Sequence, residues 1–232
     1  MEFCLVLGLL LADDASAEEA IKRFKTGMKN QSVPARVAAV SELAREKHEK
    51  TAKVLAGLLM ADVCDVRAAA AAGLAGFSDY KKMVVPALMA SLGGPNQKEP
   101  KVRAAIMGTL GKMNDDAAVP MIYQAFKDDY ITVAKAAIMA TVDLKRKEAI
   151  DNLIDLLKDC QKWTKSKQGG GYKDDQGKNG DEKAQTDRVA DLQKTILAAL
   201  QAMTTEKWPS AEEWVVWWGR RKPTFEFAAE KK

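Results

Sequence analysis

Residues Arg103-Ala-Ala-Ile-Met-Gly-Thr-Leu110 return almost unchanged as Lys135-Ala-Ala-Ile-Met-Ala-Thr-Val142, 32 residues further along the chain. Self-similarity at so short a period marks units that cannot bury an apolar face alone and must stack on their neighbours. Anchored on its opening basic residue, the pattern extends to Arg36-Val-Ala-Ala-Val-Ser-Glu-Leu43 and Arg67-Ala-Ala-Ala-Ala-Ala-Gly-Leu74, giving spacings of 31, 36 and 32. Each copy sets a large aliphatic residue two helical turns after the basic one, the spacing of an amphipathic helix.

A second pattern precedes each of these helices. Val85-Pro-Ala-Leu-Met-Ala-Ser-Leu92 matches Val119-Pro-Met-Ile-Tyr-Gln-Ala-Phe126, with weaker copies at Ala52 to Leu59 and Ile150 to Leu157. Pro86 and Pro120 are expected in a first helical turn, where the missing amide hydrogen costs little. Short polar turns such as Ala61-Asp62 and Lys127-Asp128-Asp129 separate the helices, and Asp suits the start of the next one. Aromatic residues are only 6% of the 232 while Ala is abundant, which favours closely packed helices over strands. The small side chains let helix axes approach, so Ala69 and Ala105 are expected at close contacts where Leu would overpack.

The order V-P-x-L, a turn with Asp, then V-R-x-A-A-x-x-L resembles the HEAT repeat, in the short form known as PBS-lyase HEAT-like, over roughly residues 18 to 160. The tetratricopeptide pattern fits less well, since its Trp, Leu-Gly and Tyr markers are absent from these units. The resemblance implies an all-α, right-handed α-solenoid, or superhelix, of about five helical hairpins whose second helices line the concave face. It also implies an armadillo-like scaffold for a protein partner, whose identity it does not supply.

Arg36, Arg67, Arg103 and Lys135 share one register and are expected to form a row from layer to layer. Two readings stand side by side. Either each cation pairs with an Asp or a carbonyl at a neighbouring turn, forming an inter-repeat ladder, or the row faces solvent and takes an anionic partner. The weak basic balance, 36 basic residues against 32 acidic, does not single out nucleic acid, and polyanion binding is the secondary expectation.

At the amino terminus, Phe3 to Ala12 is an apolar run of signal-peptide length followed by Ala15-Ser16-Ala17, which is similar to an A-x-A cleavage site. Residues 1–17 are therefore read as a signal peptide, with Glu2 standing where a basic residue is usual; the alternative is a buried first helix. Cleavage gives an exported, periplasmic or extracellular chain beginning at Glu18, and retention a cytoplasmic one. The run is too short to span a membrane, which takes about 20 apolar residues. Cys4, Cys64 and Cys160 have neither zinc-site spacing nor disulfide-scaffold density.

The repeat is expected to run over 18–205, interrupted by a flexible insertion at about 161–188 that is rich in Gly and in charges of both signs. Asp175 to Asp181 departs from an EF-hand loop at Gly177 and Thr186, and Gly171 to Lys178 fails as a phosphate loop. Lys194-Thr-Ile-Leu-Ala-Ala-Leu200 then restores the second-helix pattern. Residues 206–232 form a cap and tail: Ser210-Ala-Glu-Glu213 is a capping box, Trp214, Trp217 and Trp218 fall on one helical face, and Gly219 is expected to end the helix. A Trp-rich ending after a leader resembles exported bacterial HEAT-repeat proteins.

No catalytic, metal or cofactor residues are assigned. His48 is the single histidine and lies in a charged segment read as a helix end, so no His cluster can form. His48-Glu49 is a lone copy of the ligand pair that HEAT-like hydroxylases use.

Overall fold

The computed structural model describes residues 2–166 and 171–227, with side chains placed from Asp14 onward except at 165 and 166. The leader-like run therefore lies largely outside the described side chains, as do Gly169, Gly170 and residues 228–232 of the tail. The described chain is all-α, and its one extended contact is an isolated bridge between Tyr130 and Lys173. Packing groups the chain into two compact units, Met1–Asp115 and Asp116–Lys232.

The first unit holds α1 (Glu2–Gly27), α2 (Val33–Leu43), α3 (Glu49–Leu58), α4 (Cys64–Gly73), α5 (Lys81–Ala90) and α6 (Pro100–Met113). First helices stack on first helices, α1 on α3 on α5, and second on second, α2 on α4 on α6, with each hairpin closed by its own pair. That is solenoid stacking within the unit. The aliphatic residue two turns after each basic anchor, Leu43, Leu74 and Leu110, is fully buried, each contributing about 1.5–3 kcal/mol by leaving water.

Helix boundaries follow local chemistry. Pro34 and Pro100 stand in first turns, and His48 caps α3: its Nδ1 accepts from the Lys50 amide while Thr51 completes a capping box. The expectation for Pro86 is corrected. The turn Ser78–Tyr80 feeds directly into α5, so Pro86 sits six residues into that helix, on its exposed side, where water can serve the carbonyl its ring leaves unpaired.

The second unit holds α7 (Val119–Gln124), α8 (Ile131–Leu144), α9 (Lys147–Ser166), α10 (Glu182–Thr204) and α11 (Ala211–Arg221). Pro120 occupies the first turn of α7. Helix α8 packs on α10, α10 on α9, and α9 on α11. The interruption expected over 161–188 is shorter than the sequence suggests, because α9 continues to Ser166 and α10 already starts at Glu182, capped by Asp181.

Residues 171–181 are also more fixed than their composition suggests. The Arg188 guanidinium donates to the carbonyls of Tyr172 (2.6 Å), Lys178 (2.9 Å) and Asn179 (2.6 Å) and pairs with Asp174 at 3.2 Å. The Asp174 carboxylate also accepts from the amides of Gln176 and Lys178, which holds its pKa below the ordinary value. Gly177 and Gly180 supply the positive φ angles, 77° and 72°, that let the chain wrap this one side chain. Lys173 then ties the loop to the start of α8, through backbone bonds with Asp129 and Ile131 and an ion pair to Asp129.

Candidate interaction surface

The four register bases are placed one by one. Arg36, on α2, reaches the Asp62 carboxylate in the turn before α4 at 2.9 Å, and its side chain is 18% exposed. Arg67, on α4, is 10% exposed; it donates to the Asp62 carbonyl at 2.7 Å and lies 3.5 Å from Glu99 in the turn before α6. Arg103, on α6, donates at 3.4 Å to the carbonyl of Gln97 in its own turn. Lys135, on α8, pairs with Asp191 on α10 at 2.5 Å. In the first unit a carboxylate four or five residues ahead of one base thus receives the base of the preceding hairpin.

Asp62 makes this possible. It stands in the left-handed region at φ 71°, a conformation that Asp and Asn tolerate better than other side-chain-bearing residues, and this turns its carboxylate toward Arg36 and its carbonyl toward Arg67. The acids Asp62, Glu99 and Asp191 escape a search for repeated residues because they differ in type and in exact offset. The signal was present only as an acidic residue within three to five positions before Arg67, Arg103 and Lys194.

With the bases turned to these partners, α4 and α6 present several small residues: Ala69, Ala72, Ala104, Ala105 and Gly108 are half-buried or exposed. The expectation that Leu at Ala69 or Ala105 overpacks is corrected accordingly. The close contacts belong instead to Ala70 and Ala71, both fully buried. An exposed ion pair, Lys101 to Asp65 at 2.5 Å, joins α6 to α4 beside this surface. In the second unit the corresponding face carries Met139, exposed on α8, although Met107 at the same register on α6 is buried.

A second shared element is a buried amide. Asn96 is fully buried, and its Nδ2 donates to the carbonyls of Leu59 (2.7 Å) and Ser91 (2.8 Å), the C-terminal caps of α3 and α5. One side chain thereby serves two helix ends that would otherwise lack donors. Thr109 on α6 similarly donates to the Ala71 carbonyl on α4 at 2.7 Å.

The second unit contains an open cavity of about 430 Å³ between α9, the turn before α8 and the 171–181 loop. Trp163, Tyr172 and Leu156 give it apolar walls, and Lys127, Asp159 and Lys162 a mixed-charge rim. Cys160 also lines it, its thiol pushed up to about 12 by burial, so it is not a nucleophile near neutrality. Cys64, the other described cysteine, is also a free thiol, held at about 11 by burial and by its hydrogen bond to Glu99.

Helix α11 seats the tryptophans. Trp214 and Trp218 are buried against α9; the Trp214 indole donates to the Trp208 carbonyl (2.9 Å) and the Trp218 indole to Asp151 (2.8 Å), which also pairs with Lys222. Trp217 is half-buried and meets Trp214, Trp218 and Phe225. Ser210 and Glu213 form the capping box, but Gly219 does not end the helix, which runs to Arg221.

His48 Nε2 lies 3.1 Å from the Asp14 carboxylate, and no group of three or more His, Cys, Asp and Glu residues suited to a metal occurs among the described residues. No described helix is long and apolar enough to cross a membrane. Ala15-Ser16-Ala17, read as a cleavage site, lies within α1; Ala17 is fully buried and Ser16 donates to Glu46.

A search of curated proteins returned no match to this chain. The family described as HEAT repeats matches twice, over residues 58–138 and 85–167, a span that takes in the hairpins built on Arg67, Arg103 and Lys135. Over residues 58–167 the chain is therefore a HEAT-repeat protein.

Proposed function

We propose that this chain is a non-enzymatic scaffold that holds a protein partner on the outward faces of its second helices, the side that is concave in a HEAT superhelix. HEAT repeats generally serve as protein-interaction scaffolds, and proteins built from them are typically not enzymes. The observation that carries the reading is the pairing of the register bases. With Arg36 and Arg67 bonded to turn acids, the surface of α4 and α6 includes a patch of small residues, Ala69, Ala72, Ala104, Ala105 and Gly108, beside the exposed Asp65 and Lys101, shallow enough for a partner's backbone to approach closely. A polyanion would have to compete for guanidiniums that already have partners, which disfavours the nucleic-acid alternative.

The test compares crosslinked partners of the wild-type chain with those of a Gly108→Arg variant. No heavy atom lies within 4 Å of the added Cβ, so a side chain can leave the helix there, and unchanged circular dichroism verifies that the variant folds. Loss of the captured protein is expected; an unchanged capture, or retention on immobilised DNA that falls steeply with salt, sinks the scaffold reading. We further propose export through residues 1–17, read as a signal peptide. Intact mass on secreted material is expected to begin at Glu18, and a chain retaining Met1 refutes it.

A further inference from the structure

Helix α11 has two apolar sides, and a terminal cap needs only one. Its inner side carries Ala211, Trp214 and Trp218, all buried. Its outer side is a separate stripe at helical spacing, Glu212, Val215, Val216, Gly219 and Arg220, every one of them exposed. Val215 is 40% and Val216 54% exposed, although the outer face of a solenoid cap is ordinarily polar. Beside them, Trp208, Val216 and Trp217 line an open groove of about 360 Å³.

We propose that this stripe docks a second copy of the same chain, α11 against α11, antiparallel about a two-fold axis at Val216. The charge pattern argues for a copy over an unrelated protein. Glu212 and Arg220 lie four residues either side of Val216, about 6 Å along the helix axis in each direction. An antiparallel copy therefore sets Glu212 against Arg220 twice, once on each side of the axis, and Val216 against Val216. Neither Glu212 nor Arg220 has an ion-pair partner among the described residues; Glu213, by contrast, is held in the capping box. Gly219 meets no heavy atom within 4 Å at its would-be Cβ, which lets a second helix approach closely. Such a pairing is isologous and closes on itself, so it yields a dimer and no larger array.

An eleven-residue helix face makes a small interface, under about 1,200 Å², so the association is weak, with a dissociation constant of roughly 0.1 mM. Sedimentation equilibrium of the full chain, from about 10 µM to 1 mM, is expected to show the average mass rising from 25.4 kDa toward the dimer value. Val216→Glu weakens the dimer at least tenfold, and Glu212→Arg or Arg220→Glu weakens it several-fold. The double reversal Glu212→Arg with Arg220→Glu restores the wild-type constant. These residues are exposed, and unchanged circular dichroism verifies that each variant folds. A mass fixed at the monomer value, growth beyond the dimer, an unaffected Val216→Glu, or a double reversal that fails to restore association each overturns the proposal. The scaffold reading concerns a different surface and is untouched by any of these results.

Discussion

Asn96 offers the sharpest test of how the hairpins of the first unit are joined. Its amide donates at 2.7 and 2.8 Å to two buried carbonyls that cap successive first helices, while its own Oδ1 has no partner. Asn96→Ala removes both donors at a position closed to bulk solvent. Each stranded carbonyl costs about 1–3 kcal/mol, and deleting the unpartnered Oδ1 returns part of it, so a net loss of about 2–4 kcal/mol is expected. Asn96→Asp should be at least as damaging, since a carboxylate facing two carbonyls can only accept.

The assay is urea unfolding followed by circular dichroism at 222 nm. Dichroism is the necessary readout because every tryptophan, from Trp163 to Trp218, lies in the second unit, where fluorescence is blind to the first. The midpoint should fall at an unchanged m-value, which marks a stability change without a change in exposed area. A loss below about 1 kcal/mol, or an Asp variant more stable than the Ala variant, would refute the idea that one amide closes two helix ends.

Glycine substitutions in α4 and α6 should move stability in opposite directions: Gly73→Ala brings a Cβ within 2.8 Å of the Ala44 Cβ and is expected to cost about 1–3 kcal/mol, whereas Gly108→Ala meets nothing and gains about 0.5–1 kcal/mol, both read from thermal midpoints. A double-mutant cycle with Arg36→Met and Asp62→Asn should give a coupling of about 1–2 kcal/mol, and a value near zero would mean that the ladder is decorative. Alkaline pH should destabilise the fold, because Cys64 (about 11), Cys160 (about 12) and Tyr123 (about 12) are all raised, chiefly by burial, from ordinary values of 9.0, 9.0 and 10.0. Their contribution is complete below about pH 9 and is lost as pH climbs toward 12, so the thermal midpoint should fall across that window and iodoacetamide at pH 8 should spare Cys160 until the chain unfolds.

What the sequence made legible was what is local. The burial of Leu43, Leu74 and Leu110, the Ser210 capping box and the first-turn Pro120 each depend on residues within two helical turns, and all stand where the sequence put them. What it hid was decided at a distance. The 171–181 loop is held by Arg188 through three carbonyls, groups that every residue possesses and that leave no mark in composition. Pro86 was displaced by a turn at Ser78–Tyr80 that starts α5 early, and Gly219 stays helical within α11, which runs on to Arg221. Ala69 and its neighbour Ala70 look alike in sequence, yet only Ala70 is fully buried.

The ladder also bears on where specificity can reside. Asp62 is engaged twice, by the Arg36 guanidinium through its carboxylate and by Arg67 through its carbonyl, so loss of Arg36 leaves a largely buried carboxylate unpaired and loss of Arg67 leaves that carbonyl without its donor. Those positions are committed to joining hairpins. Ala137, two places after Lys135, is fully buried, but in the first unit the equivalent Ala38, Ala69 and Ala105 make no such bond and are half-buried or exposed, so a larger or charged residue there costs little folding stability. Selection for a partner can therefore act on that column of the repeat while the ladder holds the frame. The same reasoning explains Met107 and Met139, which share a register: the first is buried and answers to packing, whereas the second is exposed and is free to answer to a partner.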